Sequence, residues 1–138
     1  MASRSYRIGR SSAGLGMFAT KAFRRGDYIA TYRGPRISAE AAARRERRGA
    51  KYMFEINRKW TIDGSPRWNV GRYINHSCEP NAKPVLRKGQ IVFIALRRIT
   101  PGEEISYDYG QEYFDYFIKS GGCRCAACRS SRKRRRAD

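Results

Sequence analysis

Hydrophobic positions along this chain come in short bursts punctuated by glycine, proline and charge, and most bursts are too short for helices. Tyr28-Ile29-Ala30-Thr31-Tyr32 is rich in strand formers and stops at Gly34-Pro35, which predicts a strand. Ile91-Val92-Phe93-Ile94-Ala95-Leu96 reads as a fully buried strand, paired with 83–88 through a turn at Gly89. Residues 52–56 and 60–63 predict a second strand pair across Asn57-Arg58-Lys59, and 105–107 a further short strand. Residues 6–34 read as short strands broken by glycines, with Ala13-Gly14-Leu15-Gly16-Met17-Phe18 as a glycine-bracketed turn. The polar, proline-containing stretch 72–81 predicts a loop or short helical turn, and 111–118 a helical turn. Only 38–48 has the marks of a proper helix. Ser38 offers an N-cap, Glu40 sits in the first turn, three alanines follow, Arg47 and Arg48 close it and Gly49 stops it. The pattern is therefore mainly β, with one short helix and no repeat. No strand-to-helix crossover follows Gly14-Leu15-Gly16, which argues against a phosphate-binding loop.

Composition adds bounds. A chain of 138 residues with 41% hydrophobic content folds as one domain with a modest core. Thirty Lys and Arg against twelve Asp and Glu give a formal charge of +18, a field that attracts polyanions such as DNA, RNA or nucleoprotein. The alternative is a solvated cationic surface with no defined ligand. Only seven of the thirty are lysine, and the Arg, Ala and Gly bias suggests a GC-rich coding sequence of bacterial type. No apolar run is long enough for a membrane span or a secretory signal. An intracellular, reducing setting follows as the expectation: cytoplasm or nucleoid in a bacterium, nucleus or chromatin in a eukaryotic cell, with delivery as an effector left open. There, Cys78, Cys123, Cys125 and Cys128 read as metal ligands rather than disulfides. Residues 130–138, with 132–136 all basic, predict a disordered tail.

Single residues carry little. His76 is the only histidine, and Tyr107 and Tyr109 are ordinary aromatics when read alone. The ordered combination carries much more. Arg72-Tyr73-Ile74-Asn75-His76-Ser77-Cys78-Glu79-Pro80-Asn81 resembles the RFINHSCxPN signature of SET-domain protein lysine methyltransferases. Gly102-Glu103-Glu104-Ile105-Ser106-Tyr107-Asp108-Tyr109-Gly110 resembles that family's GEELxxDYG signature, and Gly14-Leu15-Gly16 its GxG loop. The terminal Cys-x-Cys-x-x-Cys is similar to a post-SET zinc module, although two residues rather than four separate its last two cysteines and no aromatic follows Cys128.

The resemblance implies a β-clip (SET) fold: small curved sheets around a knot-like threaded C-terminal segment, one short helix and a C-terminal zinc knuckle. It implies three regions, a SET domain at 1–118, a post-SET module at 119–129 and a basic tail at 130–138, with no cysteine-rich pre-SET region. It implies S-adenosyl-L-methionine as cofactor, with Gly14, Leu15, Gly16, Tyr52, Arg72, Tyr73, Asn75, His76 and Tyr109 around it. Tyr109 takes the position of the catalytic tyrosine, and Tyr107 that of the switch that limits methylation to mono- or dimethyl product. Cys78, Cys123, Cys125 and Cys128 would hold a structural zinc, the four thiolates that a closed site requires. The implied substrate is a lysine on a histone or another basic, nucleic-acid-associated protein.

A protein of +18 should repel such substrates. Five of the twelve acids, Glu103, Glu104, Asp108, Glu112 and Asp115, lie within thirteen residues around Tyr109. They form either an acidic patch that receives the lysine or neutralising partners for nearby arginines. The rival reading is a non-catalytic, zinc-containing nucleic-acid-binding module, which leaves the asparagine–histidine block and the paired tyrosines unexplained.

Overall fold

The computed structural model describes residues 5–12 and 14–110; the expected helical turn, cysteine knuckle and basic tail lie outside these residues. Ten strands and one α-helix are arranged in three small sheets. β1 (Tyr6–Ser11) and β2 (Gly14–Ala19) form an antiparallel hairpin, with Ser11 opposite Gly14. The segment expected as a glycine-bracketed turn is thus mostly strand. Its glycines are strand residues, and only Gly14, at φ +100°, does the work of a turn.

β3 (Tyr28–Tyr32) pairs antiparallel with β9 (Gln90–Ala95), and β9 also pairs with β8 (Ala82–Arg87). The β8–β9 hairpin turns at Lys88 and Gly89, both at positive φ, as a two-residue turn requires when it matches strand twist. β9 is the centre of its sheet, so both of its edges are paired, and Ile91, Val92, Phe93 and Ala95 are buried, Phe93 fully. Phe93, Tyr32 and Phe54 pack ring to ring, with centroids 5.0–6.5 Å apart.

β4 (Arg36–Ser38), β6 (Trp60–Asp63) and β5 (Met53–Glu55) make the third sheet, in the order β4-β6-β5. α1 (Ala39–Arg47) follows β4 directly. Ser38 Oγ accepts from the Ala41 amide, and Gly49, at φ +99°, ends the helix, both as its sequence predicts.

The remaining strands carry the chemistry. A 3₁₀ turn (Val70–Tyr73) leads into β7 (Asn75–His76), which pairs parallel with β10 (Glu104–Tyr107). β10 pairs on its other side with β2, giving the order β1-β2-β10-β7. A strand from late in the chain is thus inserted between two earlier segments. Met17, Ile74 and Ile105 have no exposed surface, and Phe23 and Ile99 bridge behind them.

By contacts the chain divides into two units: Tyr28–Arg72 with Pro84–Ile94, and the described residues of 1–27, 73–83 and 95–110. Each unit is held by one buried asparagine. In the first, Asn69 Oδ1 accepts from the Arg33 and Gly71 amides, while its Nδ2 donates to Gly64 O. In the second, Asn81 Nδ2 donates to Glu104 O (2.8 Å) and its Oδ1 accepts from Ser106 N (2.9 Å). Asn81 thereby acts as a one-residue strand partner for β10 where β7 ends. Among the described residues no helix is long and apolar enough to cross a membrane.

Candidate active site

β10 and β7 run parallel with Ser106 opposite Asn75 and Tyr107 opposite His76, and the chain beyond β10 bends back over them. The Tyr109 amide donates to His76 Nδ1 (3.1 Å), and the Tyr109 hydroxyl donates to the carbonyl of Ile74 (2.7 Å). The Tyr109 ring packs edge-on against His76 at 5.4 Å and lies 4.6 Å from the Tyr107 ring. Tyr107 is buried and Tyr109 half-buried.

His76 is neutral here. Burial of its ring lowers its pKa, and Asp108, 3.8 Å from Nδ1, opposes that only in part. Because Nδ1 accepts from the Tyr109 amide, the proton of the neutral ring is on Nε2, which lies 3.5 Å from Cys78 Sγ. The sequence reading expected Asn75, His76 and Tyr109 to converge, and these contacts bring them together.

The Asn75 side chain is oriented by acceptors. Its Nδ2 donates to Leu15 O and to Glu104 Oε2, each at 2.9 Å, with Ser11 Oγ at 3.4 Å. A carbonyl and a carboxylate can only accept, so nitrogen must face them. No hydrogen bond among the described residues uses Asn75 Oδ1, which is left as an acceptor. Glu104 is fixed from its other oxygen, which accepts from Ser11 Oγ at 2.8 Å. Gly16 makes room for this network. A Cβ there would sit 2.4 Å from Glu104 Oε2, 2.9 Å from Ser11 Cβ and 3.1 Å from Asn75 Nδ2. At Gly14 a Cβ would meet nothing within 4 Å, and the positive φ alone demands glycine. Beside this network opens a cleft of about 240 Å³, whose walls include Ser11, Asn75, His76, Glu79, Glu104 and Ser106.

Sequence marked Glu104 only as a member of a motif and of the acidic cluster, Asn81 only as the end of a motif, and Ser11 not at all. Two of the acids expected as a patch or as neutralising partners have partners of their own at the cleft. Glu104 is held in the Asn75 network. Glu103 bonds to Arg97 and to Thr100, and the Arg97 bond, then the Thr100 amide, hold its carboxyl below the usual range. Asp108 remains exposed, and Glu112 and Asp115 lie outside the described residues.

Tyr52 and Arg72 belong to the other unit, where the Arg72 guanidinium lies 4.2 Å over the Tyr52 ring. Arg72 also donates to Ser65 O, and the Tyr52 carbonyl accepts from the Tyr32 hydroxyl. Tyr73 closes the 3₁₀ turn before Ile74. Cys78 is exposed, with its Sγ 3.5 Å from His76 Nε2; Cys123, Cys125 and Cys128 lie outside the described residues. Among the described residues no group of three or more His, Cys, Asp or Glu could hold a metal.

The family model of the SET domain matches residues 14–110, most of the chain. This chain belongs to the SET-domain family. A stretch of 125 residues is 38% identical to Histone-lysine N-methyltransferase trithorax of Drosophila virilis, covering 84% of this chain and 3% of that protein. Another of 124 residues is 38% identical to Histone-lysine N-methyltransferase 2D of Homo sapiens, covering 83% of this chain and 2% of that protein. The SET domain here thus spans only a few per cent of the length of these curated relatives. Among solved structures, ctPRC2 of Chaetomium thermophilum, in an autoinhibited conformation bound to S-adenosylmethionine, superposes with a TM-score of 0.70 at 31% identity. That match covers 79% of this chain and 15% of the other. The small sheets and the single short helix of this SET domain agree with the fold expected from sequence.

Proposed function

We propose that this SET domain transfers a methyl group from S-adenosylmethionine to the side-chain amine of a protein lysine, with Tyr109 as its catalytic residue. The observation that carries the reading is the convergence of Tyr109 on Ile74 and His76, next to an Asn75 amide turned by its neighbours.

The residues present fit the cofactor's chemistry. An amino-acid ammonium needs acceptors, and Asn75 Oδ1 is one held ready by Glu104, Leu15 and Ser11. Gly14, open on its Cβ side, admits close approach of a ligand to the backbone. His76 would border the adenine through its backbone, and the family resemblance also assigns Tyr52, Arg72 and Tyr73 to cofactor binding. When bound, the cofactor supplies an activated methyl on a positively charged sulfur; the protein supplies alignment and a dry, polar frame.

Tyr109 is suited to alignment rather than to proton removal. Its hydroxyl proton is committed to Ile74 O, so its oxygen presents lone pairs to whatever lies beyond. Those lone pairs attract a polarised methyl or an amine N–H without leaving the phenol charged. A lysine with a pKa of about 10.4 is roughly 99.9% ammonium at neutral pH, and desolvation beside the packed rings of Tyr107 and Tyr109 penalises that charge.

Tyr107 bears on how many methyl groups are added. It is buried and packed against Tyr109, and the family resemblance gives it the switch position, where a hydroxyl would take space that a methylated amine needs. The expected product is mainly monomethyl-lysine, with some dimethyl. Tyr107→Phe should shift the product toward higher methylation, read by mass spectrometry of a basic protein substrate. Abundant trimethyl product from the wild-type protein would contradict this assignment.

We also propose that Cys78 joins Cys123, Cys125 and Cys128 in one structural zinc site of a post-SET module at 119–129, followed by a basic tail at 130–138. Four thiols match the ligand set of a closed tetrahedral site, and the family resemblance places Cys78 among them. Elemental analysis should find one zinc per chain, and less in Cys78→Ser. Zinc-free protein with all four thiols reacting at once would remove the knuckle from the account.

A further inference from the structure

Half of the charge surplus of the chain lies in one of its units. Tyr28–Arg72 with Pro84–Ile94 contains thirteen Lys and Arg against four Asp and Glu, a surplus of nine. The described residues of the other unit contain eight against five, a surplus of three. Of the four acids of the basic unit, Glu40 is the one on the same face of α1, four positions before Arg44 and seven before Arg47, and it forms no ion pair among the described residues, so it offsets only part of the surplus. Asp63 is taken by Arg45 and Ser65. Glu46 faces Glu55 rather than a cation: burial first, then the charge of Glu55, raises its pKa.

The surplus is organised on α1 and its C-cap. Arg44, Arg47 and Arg48 are spaced i, i+3 and i+4, so they share one face of the helix, while Arg45 points elsewhere, to Asp63. All three are exposed, and among the described residues none of them forms an ion pair. Like charges at these spacings repel, and the negative end of the helix dipole offsets part of that repulsion. Ala43 and Gly49, also exposed, flank the arginines, and the Glu40 carboxylate lies one turn away toward the start of the helix. Cations bracket the helix as well. Lys51 follows its end, and Arg58 and Lys59 sit at its start, where the Ala39 amide donates to Lys59 O.

We propose that the Arg44–Arg47–Arg48 face of α1 docks on the phosphate backbone of duplex DNA. This goes beyond the methyl-transfer reading and does not rest on it. Guanidinium forks match phosphate oxygens in pairs, whereas water-exposed single charges gain little. Phosphate contacts fix position and carry no sequence information, so the docking is non-specific and strongly salt-dependent. It also resolves the charge conflict with a basic substrate. A polyanion held on α1 brings DNA-associated basic proteins to a cationic enzyme that would otherwise repel them, by raising their local concentration.

The test uses the full chain and a fluorescent duplex of about 20 base pairs, with anisotropy read over a series of salt concentrations. In R44Q/R47Q/R48Q, loss of three phosphate contacts should reduce the slope of log affinity against log salt by about 2–3. Affinity at about 0.1 M salt should fall on the order of 10²–10³-fold. Unchanged circular dichroism and an unchanged thermal unfolding midpoint would establish that the variant is folded. The tail variant R132Q/K133Q/R134Q/R135Q/R136Q, measured in parallel, separates the share of the tail from that of α1. A triple variant with the wild-type slope overturns the proposal, as does a wild-type chain that ignores the duplex. Arginine-dependent binding to phosphatidylserine vesicles without binding to duplex would assign the face to a membrane surface and overturn it equally.

Discussion

Tyr109→Phe is expected to lower kcat by about 10²–10³-fold while leaving the affinity for S-adenosylmethionine within a few-fold of wild type. The ring remains packed against Tyr107 and His76, and the backbone bond from its amide to His76 Nδ1 survives. What is lost is one oxygen, held in place by donating to Ile74 O. That oxygen has no role in holding the cofactor at Asn75, so the loss belongs to the transition state and should appear in kcat. Steady-state kinetics with calorimetric binding separates the two quantities. A Tyr109→Phe protein that turns over at the wild-type rate would remove this residue from the chemistry.

Gly16→Ala is expected to weaken S-adenosylmethionine binding by about 10–100-fold and to destabilise the fold by about 1–3 kcal/mol. The new Cβ collides with Glu104 Oε2, Ser11 Cβ and Asn75 Nδ2 together. The flexible carboxylate can retreat, but only by releasing Asn75, whose Oδ1 then no longer faces the ligand. Glu104→Ala should reproduce the binding defect without the steric cost. Glu104→Gln should largely preserve binding, because its Oε1 can still accept from Asn75 while its amide donates to Ser11 Oγ. Titration calorimetry on the three variants decides the matter. Equal affinities in wild type and Glu104→Ala would show that the carboxylate does not position Asn75.

Much of the local structure was legible because it depends on neighbours in sequence. The Ser38 cap, the Gly49 stop, the Gly89 hairpin and the buried run at 91–95 each follow from a local rule and appear as those rules require. The glycines of the first hairpin misled for an instructive reason. Gly14 and Gly16 look like punctuation, yet Gly16 is glycine because the Glu104 side chain, 88 positions later, fills its Cβ space. The two readings of the acidic cluster divide between adjacent residues. Glu103 and Glu104 are adjacent in sequence, but one bonds to Arg97 and the other to Ser11 and Asn75.

The meeting of Asn75, His76 and Tyr109 was expected only through family resemblance, because no periodicity links a two-residue strand to a tyrosine 33 positions beyond His76. The two buried asparagines show the same limit. Asn81 ends the stretch read as a loop or short helical turn, yet it bonds to backbone groups of β10 more than twenty positions later, and Asn69, which no local rule marks, reaches back to the Arg33 amide.

The most direct measurement is transfer of isotopically labelled methyl from S-adenosylmethionine to basic proteins, histones included, with the site read by tandem mass spectrometry. The account predicts label on lysine side-chain nitrogen with the wild-type chain, and on the order of 10²–10³-fold less per unit time with Tyr109→Phe. Label on no lysine of any protein tested, or equal labelling by the two chains, would contradict it.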